Sequence, residues 1–310
     1  MSEPQDIPPP ILIAGPTASG KSALALAIAE HVGGVIINAD SMQVYRELRI
    51  LTARPSPEEE ARVPHTLYGF IPASDAYSAG RFVADVADVL AKARQAGQRP
   101  VIVGGTGLYF KALLEGLSPI PSIDPAIREH WRAEAERRGA AELHRELAAR
   151  DTRMADRLAP NDTQRIVRAL EVIDQTGKSL ADWQQVPGVP VIDAANSVRF
   201  LVTLDREDLH ARADARFDRM IASGALDEVR ELEALQLDPD LPAMRAIGVR
   251  PLLDVVRGQS SIEGAADAAK AETRQYIKRQ ETWSRRNMIS WKQVNAQYME
   301  SIDRDIFAFI

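Results

Sequence analysis

The 310-residue chain contains no cysteine, and this absence excludes disulfide bonds and zinc sites that need thiolate ligands. Its five histidines show no metal-ligand spacing, so a histidine metal centre is not predicted either. No apolar run approaches the ~20 residues that a membrane-spanning helix needs. The acidic, proline-rich stretch MSEPQDIPPP at positions 1–10 is atypical of a signal or transit peptide. We therefore expect a cytoplasmic protein that does not enter membranes.

Charge is modest overall and unevenly distributed. The formal net charge of −6 argues against indiscriminate binding of nucleic acid. Segment 270–292 is nevertheless rich in basic residues at helical spacing with aromatics among them: Lys270, Arg274, Lys278 and Arg285, with Tyr276, Trp283 and Trp291. Such a stripe suits a phosphate backbone and unstacked bases. The alternative is a solvated basic helix face whose tryptophans pack into the core.

Apolar segments alternate with helical patterns through the first hundred residues. The predicted strands are 11–15, 35–40 and 99–105, and the predicted helices are 21–32 and 78–97. Strands that are apolar throughout and separated by helices predict a parallel sheet covered on both faces. The fold class is therefore α/β, with a further strand expected at 198–206 and a long helix at 262–286.

The middle of the chain has a different composition and no strand pattern. A proline-rich connector at 117–125 leads into an Arg/Glu/Ala-rich helical region that reaches position 185. We predict an α/β core formed by residues 1–120 and 186–310, interrupted by an all-helical insertion at 121–185.

The strongest single motif is a phosphate-binding loop at positions 15–22, GPTASGKS, which matches G-x-x-x-x-G-K-[ST]. A predicted strand precedes it and a predicted helix follows, which makes the core similar to P-loop NTPases. The loop consists of Gly15, Pro16, Thr17, Ala18, Ser19, Gly20, Lys21 and Ser22. Its backbone N–H groups and Lys21 suit a polyphosphate, and the Ser22 hydroxyl suits Mg²⁺.

The loop does not say which polyphosphate it binds. In many ATP-binding enzymes a second strand ends in an acid that binds Mg²⁺. Strand 99–105 ends in two glycines, whereas strand 35–40 ends in Asp40. On motifs alone, Asp40 is equally a magnesium ligand or a catalytic base.

Six motifs follow one another along the chain: GPTASGKS, NADSMQVYR, PHTLYGF with YSAGRF, VGGTGLYFKALLEGL, NDTQRIVRALEV and RQYIKRQETWSRR. Together they resemble the bacterial tRNA dimethylallyltransferase family, also called tRNA isopentenyltransferases. The resemblance extends over about 11–291, nearly the whole chain.

The resemblance implies a specific reaction. The phosphate loop would bind dimethylallyl diphosphate instead of ATP, and the allyl group would pass to N6 of the adenosine immediately 3′ of the tRNA anticodon. Asp40 would be the base, while Thr17, Lys21 and Arg216 would act at the diphosphate and Ser22 would bind Mg²⁺. Arg219 is close enough to Arg216 in the sequence to be an alternative diphosphate ligand.

The resemblance also implies a set of contacts to the anticodon stem-loop, distributed over the core, the insertion and the C-terminal helix. They are Asp40, Ser41, Met42, Gln43, Thr106, Arg128, Gln164, Arg165, Ile166, Val167, Arg168, Ala246, Ile247, Gly248, Val249, Arg250, Pro251, Arg274 and Lys278. The extended RNA surface is compatible with a monomer.

Three other functions share parts of this pattern. Isopentenyl transfer to a free adenine nucleotide uses the same chemistry, but it needs neither the insertion nor the basic helix. A small-molecule kinase would turn over ATP at the same loop. A non-catalytic nucleotide switch or RNA-binding module would retain its function in Asp40→Ala.

Overall fold

The computed structural model describes residues 8–298, 306–307 and 310. Residues 1–7, which form most of the N-terminal stretch considered above, lie outside this part. The chain divides into two compact units. The first combines Met1–Leu114 with Val191–Ile310, and the second is Glu115–Pro190. The predicted insertion at 121–185 lies inside the second unit.

A six-stranded parallel sheet forms the centre of the first unit, with the order β3-β2-β4-β1-β5-β6. The strands are β1 Ile11–Ala14, β2 Gly34–Asn38, β3 His65–Thr66, β4 Arg99–Gly104, β5 Val198–Thr203 and β6 Lys292–Asn295. The predicted α/β class and parallel sheet are confirmed. The short edge strands β3 and β6 were not predicted, because neither has a long apolar run.

Helices connect the strands and also form the second unit. In chain order they are α1 Lys21–Val32, α2 Pro57–Arg62, α3 Ala79–Gln95, α4 Gly107–Glu115, α5 Pro125–Arg138, α6 Ala140–Arg150, α7 Thr152–Ala155, α8 Thr163–Thr176, α9 Leu180–Trp183, α10 Arg206–Ala222, α11 Ala225–Ala234, α12 Val249–Val256 and α13 Ile262–Asn287. Short 3₁₀ turns lie at Pro242–Arg245 and Ala296–Tyr298. Among the described residues, no helix is long and apolar enough to cross a bilayer.

The continuous apolar pattern of the strands follows from burial on both faces of the sheet. Alternate residues of β1 pack into two different cores, with Leu12 and Ala14 on one side and Ile11 and Ile13 on the other. Successive strand side chains point to opposite faces, so a covered sheet needs apolar residues at every position. The sheet thereby becomes a rigid support for the loops at the carboxyl ends of its strands.

The second unit contains α5 to α9 around its own core of Trp131, Leu143, Leu147, Ile166 and Leu170. Helices α5, α7, α8 and α9 begin at residues whose side chains accept hydrogen bonds from backbone N–H groups, as Asp124 accepts from Ala126 at 2.8 Å. The indole Nε1 of buried Trp131 donates to Asp174 at 2.6 Å, so the polar edge of this core residue is satisfied.

Candidate active site

The phosphate loop joins the end of β1 to the start of α1, as its motif predicts. Two of its residues have left-handed backbone conformations, Ala18 with φ of 66° and Gly20 with φ of 87°. The first glycine is required by close packing, since a Cβ on Gly15 would lie 2.7 Å from Ser19 Oγ and 2.9 Å from Val202 O. The loop therefore curls tightly in front of the N-terminus of α1, the geometry that suits bound phosphate.

A cavity of about 580 Å³ opens beside this loop. Cationic side chains predominate among its charged lining residues: Lys21, Arg212, Arg216 and Arg219 against Glu59. The three arginines recur at positions i, i+4 and i+7 of α10, so they share one face of that helix. Such a surface favours a polyanion. Arg212 was not singled out from the sequence, although its helical spacing from Arg216 was a usable signal.

Burial and charge act together on the groups deepest in this cavity. Burial lowers the pKa of Lys21 from its usual 10.5 to about 8, while the negative charge of Asp40 raises it and Arg216 lowers it further. Burial also lowers the pKa of Arg216. The negative charge of Asp40 raises this pKa, and the positive charge of Arg219 lowers it. The three groups Asp40, Lys21 and Arg216 therefore share one electrostatic environment. Arg216 is partly buried and Arg219 is exposed, yet both line the cavity.

Asp40 lies in the loop after β2, because that strand ends at Asn38 instead of reaching position 40. Asp40 N donates to Asn38 Oδ1 at 2.8 Å, and Met42 N donates to Asp40 Oδ1 at 2.9 Å. The second carboxylate oxygen, Oδ2, faces Gly105, where an added Cβ would lie 3.6 Å away. No hydrogen bond to Oδ2 is found within the described part of the chain, so this oxygen is available to accept a proton.

The residues that follow Asp40 connect it to the end of β4. Ser41 N donates to Thr106 Oγ1 at 3.0 Å. The Gln43 side chain donates to the backbone oxygens of Thr52 and Ala53 at 2.8 and 2.9 Å, so it secures the following loop. Met42 packs partly buried against the first core. The sequence-predicted group Asp40, Ser41 and Thr106 is thus brought together.

A second, smaller cavity of about 220 Å³ lies at the carboxyl ends of β1 and β4. Thr106, Tyr276, Gln280 and Trp283 contribute to its lining. Gln280 also bonds to the phosphate loop, since Thr17 N donates to Gln280 Oε1 at 2.8 Å. Gln280 was not singled out from the sequence, and Tyr276 was predicted only as one of the aromatics within the basic stripe. Their one-turn spacing on α13 was visible in the sequence, but their partners lie far away along the chain.

The charge pattern of the C-terminal helix differs from the predicted basic stripe. Lys270 Nζ lies 2.5 Å from Asp218 Oδ1, and Arg274 Nη1 lies 2.8 Å from Asp214 Oδ2. Half of the stripe is therefore paired with two acids on α10, which packs against α13. Lys278 and Arg285 are exposed.

The two aromatic residues at this end of the chain have unequal environments. Trp291 is 5% exposed and packs edge-on against Phe110 with a centroid distance of 5.4 Å. Trp283 is partly buried and packs against the first core. Trp291 is therefore a core residue, as the alternative interpretation of this segment predicted.

The stretch 246–251 is mainly interior. Ala246, Gly248 and Val249 are buried, because α12 starts here with its apolar side against the first core. Gly248 has φ of 92°, and a Cβ there would lie 3.0 Å from the Phe217 ring. Arg250 is exposed, while Ile247 and Pro251 are partly buried. Of the six residues predicted to contact RNA here, only Ile247, Arg250 and Pro251 are open to solvent.

The predicted contacts in the second unit also differ in exposure. Gln164 and Arg165 are exposed on α8, whereas Ile166 is 0% exposed and belongs to the core of this unit. Val167 is partly buried against the same core, and Arg168 remains partly exposed with an ion pair to Glu171 at 3.1 Å. Arg128 is exposed on α5.

The Mg²⁺ prediction depends on Ser22, which is exposed in the first turn of α1 and lines the larger cavity. Within the described residues, no group of three or more His, Cys, Asp or Glu side chains is arranged for a metal ion. Mg²⁺ often retains several waters and binds through few protein oxygens together with substrate phosphates. A single serine hydroxyl beside a cationic phosphate cavity fits that mode of binding.

Comparisons with known proteins agree with this geometry. Residues 43–287 match the family profile described as IPP transferase, and residues 10–71 match the one described as Isopentenyl transferase. The chain is 51% identical over 310 residues to the tRNA dimethylallyltransferase of Parvibaculum lavamentivorans, which covers 100% of this chain and 98% of that protein. It is 52% identical over 292 residues to the tRNA dimethylallyltransferase of Nitrobacter hamburgensis, covering 94% and 92% of the two chains.

Solved structures show the same fold. The full-length tRNA isopentenylpyrophosphate transferase of Bacillus halodurans matches with a TM-score of 0.68 and 31% identity, covering 96% of this chain and 94% of that one. A eukaryotic dimethylallyltransferase, captured in crystals acting on tRNA, matches with a TM-score of 0.77 and 26% identity, covering 93% of this chain and 73% of its own. On its sequence matches and its fold together, this chain belongs to the tRNA dimethylallyltransferase (IPP transferase) family.

Proposed function

We propose that this chain transfers the dimethylallyl group of dimethylallyl diphosphate to N6 of the adenosine immediately 3′ of the anticodon in tRNA. The products are N6-isopentenyladenosine in tRNA and free diphosphate. The observation that supports the proposal is the electrostatic interaction of Asp40 with both Lys21 and Arg216, two of the cations that line the proposed phosphate site. Action on tRNA also supports a cytoplasmic enzyme, and we propose that it works as a monomer.

The proposed reaction is a displacement at the allylic carbon. The N6 lone pair forms a bond to C1 of the allyl group while the bond from C1 to the diphosphate oxygen breaks, and that electron pair leaves with the diphosphate. Lys21, Arg216 and the N–H groups of the phosphate loop stabilise the charge that builds on the leaving oxygens. In this assignment, Thr17 contacts the diphosphate from within the loop.

Asp40 is the proposed general base. An adenine amine is a weak nucleophile because its lone pair is delocalised into the ring. The N6 proton would pass to Oδ2 of Asp40, the carboxylate oxygen that faces Gly105, while Oδ1 remains fixed by Met42 N. When bound, Mg²⁺ would be held by the Ser22 hydroxyl and the diphosphate and would supply further neutralisation of the leaving group.

Recognition of tRNA is assigned to exposed residues on both units. Turning an adenosine out of the anticodon loop costs a few kcal/mol, so contacts elsewhere on the RNA must offset that energy. The best placed residues are exposed or partly exposed and polar: Arg128, Gln164, Arg165, Arg168, Arg250 and Lys278. Arg274 is a weaker candidate because its ion pair with Asp214 joins two helices, whereas Arg165 and Arg168 pair only with acids three residues away in the sequence.

The test is transfer of radiolabel from dimethylallyl diphosphate, with Mg²⁺, to tRNA, AMP and ATP offered in parallel. We expect label in tRNA and a fall of about 100-fold to 10,000-fold in Asp40→Asn, the range typical for loss of a general base. Asp88→Asn, on the exposed side of α3, is the matched control and should retain full activity.

Other outcomes of this assay point to other functions. Label in AMP with none in tRNA would make the protein a free-nucleotide transferase. ATP consumption without any label transfer would favour a kinase. Full activity in Asp40→Asn would remove Asp40 from its assigned role.

A further inference from the structure

One carboxamide on α13 joins the phosphate loop to the end of β4. Thr17 N donates to Gln280 Oε1 at 2.8 Å, and Gln280 Nε2 donates to Gly105 O at 3.0 Å. Gln280 is only 8% exposed. The approach requires glycine at position 105, because a Cβ there would lie 2.4 Å from Gln280 Nε2. The side chain thus bonds to one backbone group from each of two loops.

This contact occupies one of the backbone N–H groups that the phosphate loop could otherwise offer to an anion. Backbone N–H groups of such loops normally point at the bound anion. The N–H of Thr17 points at Gln280 instead, a residue 263 positions away in the sequence. The placement of Thr17 therefore depends on α13 as well as on the loop itself.

The same part of α13 also reaches the residues beside Asp40. Tyr276 lies one turn before Gln280 and lines the smaller cavity together with Thr106. Thr106 Oγ1 in turn accepts from Ser41 N at 3.0 Å. Gln280 therefore joins Thr17 to Gly105, and the next residue, Thr106, bonds to Ser41.

We propose that Gln280 is a positioning residue that fixes the phosphate loop at Thr17 relative to Thr106 and Ser41. The inference rests on the proposed function for the identity of the two substrates, with the diphosphate on the Thr17 side and the adenosine on the Ser41 side. Transfer needs the attacking nitrogen and the departing oxygen aligned at the same carbon, so a shift of about 1 Å between the two sites slows the reaction strongly.

Two substitutions separate the hydrogen bonds from the space that the side chain fills. Gln280→Met has a similar length and forms neither bond. Gln280→Glu forms both only when its carboxyl is protonated, since the neutral acid has one donor and one acceptor like the carboxamide. Burial and the negative charge of Asp40 favour the neutral acid, whereas the cations Lys21, Arg216 and Arg279 oppose it and Tyr276 is neutral.

The probe is inorganic diphosphate with Mg²⁺, titrated by calorimetry into the full chain without tRNA between about pH 5.5 and 8. Each variant is compared with wild type at the same pH, which cancels protonation of the diphosphate and of shared groups. We expect Gln280→Met to bind about tenfold more weakly or worse at every pH. Gln280→Glu should bind weakly at pH 8 and approach wild type as the pH falls. Gln95→Met, exposed at the end of α3, is the control and should match wild type.

Three results would overturn the inference. Gln280→Met could bind diphosphate within about twofold of wild type. Gln280→Glu could lose affinity by a constant factor at all pH values. In the transfer assay we expect Gln280→Met to lower kcat with little change in KM for tRNA. If that variant raised only KM for tRNA, Gln280 would be an RNA contact instead. Because diphosphate binding needs no transfer, a wild-type protein that binds but does not transfer would contradict only the proposed function.

Discussion

At the scale of single residues, Lys21 has the clearest dependence on pH. Its pKa of about 8 in the free protein means that the ammonium is charged at pH 7 and is lost as the pH rises through that value. A neutral amine attracts diphosphate less, so we expect the affinity of wild type for diphosphate to fall by up to about tenfold per pH unit above pH 8. The measurement is a calorimetric titration with inorganic diphosphate from pH 7 to about 9.5.

The reference for this experiment is Lys21→Arg. Its guanidinium stays charged over the whole range, so any remaining change reports ionisation of the diphosphate itself. The ratio of wild-type to Lys21→Arg affinity should therefore decline with rising pH. Parallel curves for the two proteins would show that the charge of Lys21 does not control binding.

At the scale of elements, α10 separates two roles on two faces. Arg212, Arg216 and Arg219 line the larger cavity, while Asp214 and Asp218 pair with α13. Arg216 is the most enclosed of the three arginines, and an ionic contact gains strength away from water. We expect Arg216→Met to raise KM for dimethylallyl diphosphate by about 100-fold and Arg212→Met by less than about tenfold, measured by steady-state transfer with saturating tRNA.

Arg206→Met provides the comparison for this series. Arg206 lies in the first turn of α10, is 49% exposed and pairs with Glu281 outside the cavity. Its substitution should leave KM for dimethylallyl diphosphate unchanged. Equal losses for Arg206, Arg212 and Arg216 would mean that the helix as a whole, and not its cavity face, determines binding.

At the scale of the whole molecule, a net charge of −6 coexists with local cationic surfaces. Binding of tRNA should therefore weaken steeply with salt, because each cation that neutralises a phosphate releases counterions. We expect Arg165→Ala and Lys278→Ala each to reduce the slope of log K against log salt by about one, as measured by filter binding. Lys92→Ala, exposed on α3, should leave the slope unchanged. If all three variants kept the wild-type slope, Arg165 and Lys278 would be excluded from the RNA surface.

Local patterns were sufficient for the elements that carry the phosphate site. The β1–loop–α1 segment was predicted because glycine placement, the apolar strand and the helix that ends at Gly33 all act between near neighbours in the sequence. The motif order was likewise enough to identify the family. The end of β2 was predicted two residues late, because the strand ends at Asn38, whose Oδ1 accepts a hydrogen bond from Asp40 N in a local turn that apolar character does not reveal.

Residue types at fixed short spacings were enough to predict the α/β class, the phosphate-loop motif and the family. The folded structure was needed to show which predicted contacts are interior, as Ile166 and Val249 are, and which basic residues of α13 are already paired. It also brought Gln280 to Thr17. Exposure, ion pairing and long-range hydrogen bonds depend on which elements pack together, and that information is not contained in any short segment of the chain.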